Sequence, residues 1–550
     1  MTIREIFEGA VRECPDAVFQ RFHDGSGWRN RTYREAYERM LKAAAVVCRL
    51  KLEGKDAEGV APRVAIMMEN SPDWQILYLA VTGAGFVVVP IDPKLRAGEV
   101  HHILVDSGAR AIFCGEKQLS VVVEATSEQQ GDYPIVKIEN PTAVIDMVKP
   151  EAAKLAEEWL KDRAPQEEDL ASLIYTSGTT GRPKGAMLTH KCFTVNAAQT
   201  LKRVVMYKTD IFLNVLPLFH AFSFLGNFIL PMAVRGSVGF MRNLRTIADD
   251  MMEIKPTILL AVPLLAEKLY GRIEQKINKS VLTSGLFKLK YSRKILSKLI
   301  VERFGGQMRL IGIGGAPTAI ETLEGFRKIG LFVLEGYGIT ECSPGVAYPD
   351  PENFVPGTVG PVLDGMDWKL GELDDNGAGE LLVRGENVMK GYWHNEEQTK
   401  AAFDEEGYYK TGDIVKIIDG NIKICGRSKA LIVNREGKNI YPEEIEHALE
   451  HAPLIKDAIV IGYEVGSEVG EHVGAIIVPD EDAVKAHLKQ KTMTREEVAA
   501  FIIEYAQGVC RASVADYKQP RKYDVRFEPL ERTGTMKVKR AVYKGALDER

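Results

Sequence analysis

The run Tyr175-Thr-Ser-Gly-Thr-Thr-Gly-Arg-Pro-Lys-Gly185 has the make-up of an anion cradle. Gly178, Gly181 and Gly185 let backbone N–H groups converge on one point. Thr176, Ser177, Thr179 and Thr180 contribute hydroxyls, and Lys184 contributes a cation. The run is not a Walker A loop, because no Gly-Lys-Ser/Thr follows at that motif's spacing. A flexible surface loop is the bland alternative. Four hydroxyl residues, three glycines and a lysine straight after an apolar strand argue against it.

This loop resembles the phosphate loop of the adenylate-forming superfamily, which includes acyl-CoA synthetases, peptide-synthetase adenylation domains and luciferases. The resemblance spans nearly the whole chain. Gly314-Gly315-Ala316-Pro317 looks like the segment that backs the adenine, and Glu335-Gly336-Tyr337-Gly338-Ile-Thr340-Glu341-Cys342 like the second signature. Tyr408-Tyr-Lys-Thr-Gly-Asp413 and Gly426-Arg427 look like the ribose contacts. Thr533 to Arg540 looks like the segment carrying the catalytic lysine.

The resemblance implies a role for each residue. Tyr337 would stack on adenine, although a tyrosine after glycine is by itself more often core. Thr340 would offer its hydroxyl to phosphate. Glu341 would ligate Mg2+, with Thr176 a second candidate for metal or phosphate. Asp413 and Arg427 would hold the ribose; for Lys429 a nucleotide contact and plain solvation weigh equally. Lys537 would bridge the substrate carboxylate and the α-phosphate, which is electrostatic stabilisation of the transition state. Many relatives have glycine before this lysine, where this chain has Met536, so Lys539 remains an alternative. Ala430 stands at the hinge, where relatives usually carry a polar residue. Gly437 lies in the segment expected to pass the thiol arm.

The implied reaction joins a carboxylic acid to the thiol of coenzyme A with ATP, releasing pyrophosphate and then AMP. The thiol of a carrier protein is an alternative acceptor. Amino-acid-activating relatives place an Asp just after the Phe of their fourth motif; Pro217-Leu-Phe-His220-Ala-Phe222-Ser-Phe224 has no acid. Acetate-activating relatives have Trp where this chain has Gly338. Phe222, Phe224 and Gly338 are therefore assigned to an apolar acyl pocket, for a medium- to long-chain fatty acid first and an aryl acid second. His220 would orient the carboxylate or gate the pocket; a packed core histidine is an equal alternative. A non-catalytic nucleotide-binding scaffold is the reading from another class, and the intact Lys184, Glu341, Asp413 and Lys537 count against it. Nothing in the sequence signals the oxygen chemistry of a luciferase.

Positioning these residues requires an α/β frame. RVAIMM (63–68), FVVVPI (86–91), AIFCG (111–115), LIYTS (173–177), TILLAVP (257–263) and LIGIGG (310–315) are continuous apolar runs. Such runs suit parallel strands covered by helices on both faces, with ligands at their carboxyl ends. Short strands with Gly-rich turns over 354–427 suggest an antiparallel, β-barrel-like subdomain. The expected organisation is an N-terminal AMP-binding domain, 1–426, made of two parallel α/β subdomains and that β-subdomain. A small mobile α+β lid, 427–550, would carry the lysine.

With 550 residues the chain exceeds one core. A net charge of −5 supplies no global basic field, so nucleic acid is not an expected partner. Seven scattered cysteines form neither a disulfide framework nor a zinc pattern, and the charged start MTIREIFEGAVRECPD is unlike a signal peptide. A cytoplasmic setting is expected. IFLNVLPLFHAFSFLGNFILPMAV (211–234) is long enough to span a bilayer. Its prolines and polar residues favour a buried strand–loop–helix instead. The basic, Leu-interleaved stretch 268–303 fits either peripheral contact with anionic lipid at the inner membrane face or an ordinary solvated helix face, the latter preferred.

Overall fold

The computed structural model describes the chain except for residues 57–58, 128–135, 177–182, 279–296, 352, 435–437, 466–470, 489–492, 533–537 and 549–550. It divides into two compact units. The first comprises Met1–Thr176, Pro183–Asp367 and Arg384–Tyr409; the second draws on Trp368–Val383 and Lys410–Arg550.

Two large sheets organise the first unit. In one, the strands run in the order Val136–Glu139, Ala109–Cys114, Arg63–Met67, Val87–Pro90, Leu170–Thr176 and Lys184–Thr189. Their pairings are parallel except for the last, an antiparallel return from Leu170–Thr176. Arg63–Met67 and Val87–Pro90 are buried throughout, as apolar runs covered on both faces must be. The helix Pro72–Gly83 between them is capped by Ser71, whose side chain accepts from the Trp74 N–H.

The other sheet has seven strands in the order Phe332–Glu335, Leu310–Ile313, Ile258–Ala261, Ile211–Asn214, Ser237–Phe240, Val18–His23 and Trp28–Thr32. All its pairings are parallel except that of the N-terminal hairpin, Val18–His23 with Trp28–Thr32. The apolar stretch 211–234 forms the strand Ile211–Asn214, a loop, and a helical run from Ala221 to Val234 with a π-turn at Leu225–Ile229. Among the described residues, no helix is long and apolar enough to cross a membrane.

In the second unit a four-stranded sheet follows sequence order: Asp367–Leu370, Gly379–Arg384, Tyr409–Ile418 and Asn421–Arg427. The remainder is a smaller α/β body. Ile455–Tyr463 and His472–Pro479 pair antiparallel, Lys522–Val525 adds in parallel, and the helices Pro442–Glu450 and Arg495–Ser513 pack with them. Its main core gathers Ile432, Ile445, Val460, Ile477 and Ile502, among others. The frame is therefore mixed α/β with largely parallel sheets, as the apolar runs imply.

Candidate active site

The residues assigned to adenine lie where an α/β sheet collects ligands, at the carboxyl ends of neighbouring parallel strands. Ile313 pairs with Ala261 on one side and Glu335 on the other. Just beyond, the Gly336 N–H donates to the Ile313 carbonyl at 2.8 Å. Gly315, Ala316 and Pro317 are exposed at this edge, and Gly315 has φ +96°, a conformation that favours glycine. Glu335 is buried, and its Oε1 accepts the Thr318 N–H at 2.6 Å. Burial pushes its carboxyl up to about 7, against the opposing pull of the Thr318 hydrogen bond. Tyr337 is buried in a two-residue strand facing Ala347.

Thr176 stands opposite Lys184 in the antiparallel register, so strand pairing closes the base of the phosphate loop. Tyr175 is anchored by donating its hydroxyl to Asp106 Oδ2 at 2.6 Å. The loop residues Ser177, Gly178, Thr179, Thr180 and Gly181 lie outside the described residues, as do Gly437 and Lys537.

Thr340 and Glu341 open a short 3-10 turn, both half-buried. Glu341 Oε1 accepts the hydroxyl of Tyr392 at 2.9 Å, and its backbone carbonyl accepts the Met389 N–H at 2.7 Å. The Tyr392 ring also lies under Lys184, whose Nζ is 5.2 Å from the ring centroid. Tyr409 sits behind, its hydroxyl 3.3 Å from that of Tyr392. Burial and the nearby Glu341 charge hold both phenols well above their ordinary range, so both stay protonated as donors.

His220 precedes the helix Ala221–Phe224, and its ring lies 4.2 Å from that of Phe219. Phe222 is half-buried, and a Cβ placed on Gly314 would lie 3.3 Å from its ring, which brings this helix to the adenine-side segment. Phe224 goes elsewhere. It is buried among Trp74, Tyr78, Phe193 and Phe228, an aromatic core cluster that accounts for it without a ligand. Gly338 likewise has a structural reason: a Cβ there would come within 2.4 Å of the Pro344 carbonyl oxygen.

In the second unit, Asp413 is buried and takes the Arg427 Nε at 2.7 Å, the two facing each other across paired strands. Arg427 is exposed, as is Lys429 in the turn Ser428–Ala430.

The profile of the AMP-binding enzyme family matches residues 7–393, well over half of the chain. The chain is an AMP-binding enzyme. The long-chain-fatty-acid–CoA ligase FadD15 of Mycobacterium bovis is 30% identical, covering 96% of this enzyme and 93% of that protein. The long-chain-fatty-acid–CoA ligase 5 of Rattus norvegicus is 28% identical, covering 87% and 78% respectively. Among solved structures, ATP-bound MatB from Rhodopseudomonas palustris matches with a TM-score of 0.76 at 25% identity over 99% of both chains. The anthranilate CoA ligase AuaEII with anthranoyl-AMP matches with 0.75 at 21%, covering 100% of this enzyme and 97% of that chain, which speaks to fold alone. The enzyme is thus an adenylate-forming acid–thiol ligase.

The AMP-binding enzyme suits magnesium in one respect. Among its described residues no cluster of three or more His, Cys, Asp or Glu could cage a metal. Mg2+ commonly takes one or two carboxylates, with waters and substrate phosphates filling the rest, so a single oriented Glu341 fits it. Tyr392 received no role from the sequence, and Tyr409 only a place in the ribose-contact run. Tyr392 lies 51 residues from Glu341, and neither period nor composition marks that contact.

Proposed function

We propose that the enzyme activates a medium- to long-chain fatty acid with ATP and transfers the acyl group to coenzyme A. The observation carrying this reading is the 30% identity to a long-chain-fatty-acid–CoA ligase across 96% of the chain. It is supported by the apolar make-up of 217–224, where no acid could hold an amine. In the first step a substrate carboxylate oxygen bonds to the α-phosphorus, and pyrophosphate leaves with the electron pair of the broken P–O bond. In the second, a thiolate attacks the acyl carbon and AMP leaves.

Lys184 and the loop hydroxyls hold the triphosphate, and Thr340 donates to it. Bound Mg2+ would neutralise phosphate charge, with Glu341 and Thr176 as its protein-side oxygens. Glu335 to Tyr337 and Gly315 to Pro317 take the adenine; Asp413, paired with Arg427, accepts ribose hydroxyls. Lys537, on a C-terminal lid beginning near Arg427, stabilises the charge that builds up as carboxylate meets phosphate. His220 and Phe222 face the acyl group.

ATP–pyrophosphate exchange with a panel of fatty, aryl and amino acids tests the substrate. Exchange strongest with fatty acids of at least eight or so carbons is expected, since each buried CH2 adds about 0.8 kcal/mol. Exchange driven only by aryl acids would overturn the fatty-acid assignment. Offering free coenzyme A beside a phosphopantetheinylated carrier protein decides the acceptor. Lys537→Ala should lose adenylation by about two orders of magnitude or more while keeping thioester formation from supplied acyl-adenylate. Equal loss of both half-reactions would remove Lys537 from its role.

A further inference from the structure

We infer that Tyr392 is a positioning residue that sets up the magnesium–triphosphate region from two sides. Its hydroxyl orients the carboxylate of Glu341, and its ring seats the ammonium of Lys184. This rests on the reading above that Glu341 serves the metal and Lys184 the phosphates.

The two contacts diverge from one side chain. The hydroxyl donates to Glu341 Oε1 at 2.9 Å, which restrains that carboxylate oxygen. Because that proton is committed to Glu341, the 3.3 Å contact between the two phenols places the Tyr409 proton on Tyr392 oxygen. The result is a relay of two hydroxyls ending on the carboxylate, and polarisation along such a relay strengthens its last bond. The ring face meets Lys184 Nζ at 5.2 Å from the centroid, within cation–π range.

The backbone makes Tyr392 a rigid support. Lys390 N–H donates to Met187 O, Met187 N–H to Gly391 O, and Trp393 N–H to Gly185 O, at 3.0, 2.9 and 2.8 Å. These bonds lace residues 390–393 onto the strand Lys184–Thr189, which begins at the phosphate-side lysine itself. Tyr409 is braced in turn by an edge-on contact with Phe403, centroids 5.5 Å apart. A side chain held this firmly can keep a cation and a carboxylate at a set spacing before the nucleotide arrives, which lowers the cost of ordering them.

Separate variants test the hydroxyl and the ring. Mn2+ binding in the presence of ATP, followed by the electron-spin resonance of free Mn2+, reports on the carboxylate side. Metal-free ATP binding in EDTA, by calorimetry, reports on the lysine side. Tyr392→Phe should weaken Mn2+ binding about fivefold and leave metal-free ATP binding within twofold. Tyr392→Leu should weaken both, and Tyr409→Phe should reproduce a smaller share of the metal effect. Glu341→Gln is the reference. If it weakens Mn2+ binding while Tyr392→Phe does not, the positioning role is overturned and the Glu341 assignment stands. If Glu341→Gln itself leaves Mn2+ binding unchanged, the assignment fails and the proposal with it. A Tyr392→Phe protein that weakens metal-bound and metal-free ATP binding equally would mark the tyrosine as merely structural. Thermal melting of every variant identifies any that fails to fold, and Tyr409→Phe then carries the test.

Discussion

Glu335 is buried, and that burial outweighs the donor from Thr318, so its carboxyl is pushed up to about 7. A carboxyl raised in the folded state holds its proton there while the unfolded chain, with a value near 4.5, has already released it. The folded form is therefore favoured most below pH 4.5. That advantage declines as pH rises to about 7 and then levels off. At about 1.4 kcal/mol per pKa unit, the loss across this window is about 3 kcal/mol. Glu335→Gln keeps an oxygen for the Thr318 N–H and has no proton to lose. Its melting temperature should exceed the parent's clearly at pH 8 and only slightly at pH 5. An equal gain at both values would show that Glu335 titrates normally. The sequence placed Glu335 in a signature before Gly336-Tyr337 but gave no sign of its titration, which depends on burial and on Thr318 seventeen residues away.

Among the elements, the short hairpin of Tyr337–Gly338 and Gly345–Ala347 decides what Gly338 is for. A side chain there would run into the Pro344 carbonyl, so overpacking alone predicts that Gly338→Ala loses about 1–3 kcal/mol of stability. Acyl-length preference of the surviving activity should not change. A variant as stable as the parent that shifts to shorter acids would instead place Gly338 on the acyl pocket. The parallel strands could be read from sequence because each is a continuous apolar run bounded by turn residues. The N-terminal hairpin could not: WRNRT at Trp28–Thr32 is polar and only half-buried, yet Gln20 in the strand it pairs with meets Val238 more than two hundred positions later. Nor did the stretch 217–224 reveal which phenylalanine turns inward. Four helical residues before a π-turn give no period to count, and Phe224 enters the aromatic core while Phe222 stays half-buried beside Gly314.

At the scale of the whole molecule, each unit has hydrophobic clusters of its own among the described residues. Two clusters of the C-terminal region draw their buried residues from 432–547, and two of the first unit draw theirs from 393 and below. A body with its own core can fold alone. The fragment 428–550 should therefore show a single cooperative thermal transition by circular dichroism and retain its helices; a molten, gradual melt would contradict its autonomy.

The strand Lys184–Thr189 is the last in its sheet, and a terminal strand normally offers unpaired amides and carbonyls to any other chain. Here Gly391, Lys390 and Trp393 occupy that rim. The bonds that steady Tyr392 thus also occupy amides and carbonyls of that rim. Replacing 390–393 with a flexible linker should promote self-association relative to the parent, visible as growing particle size in light scattering before any loss of secondary structure.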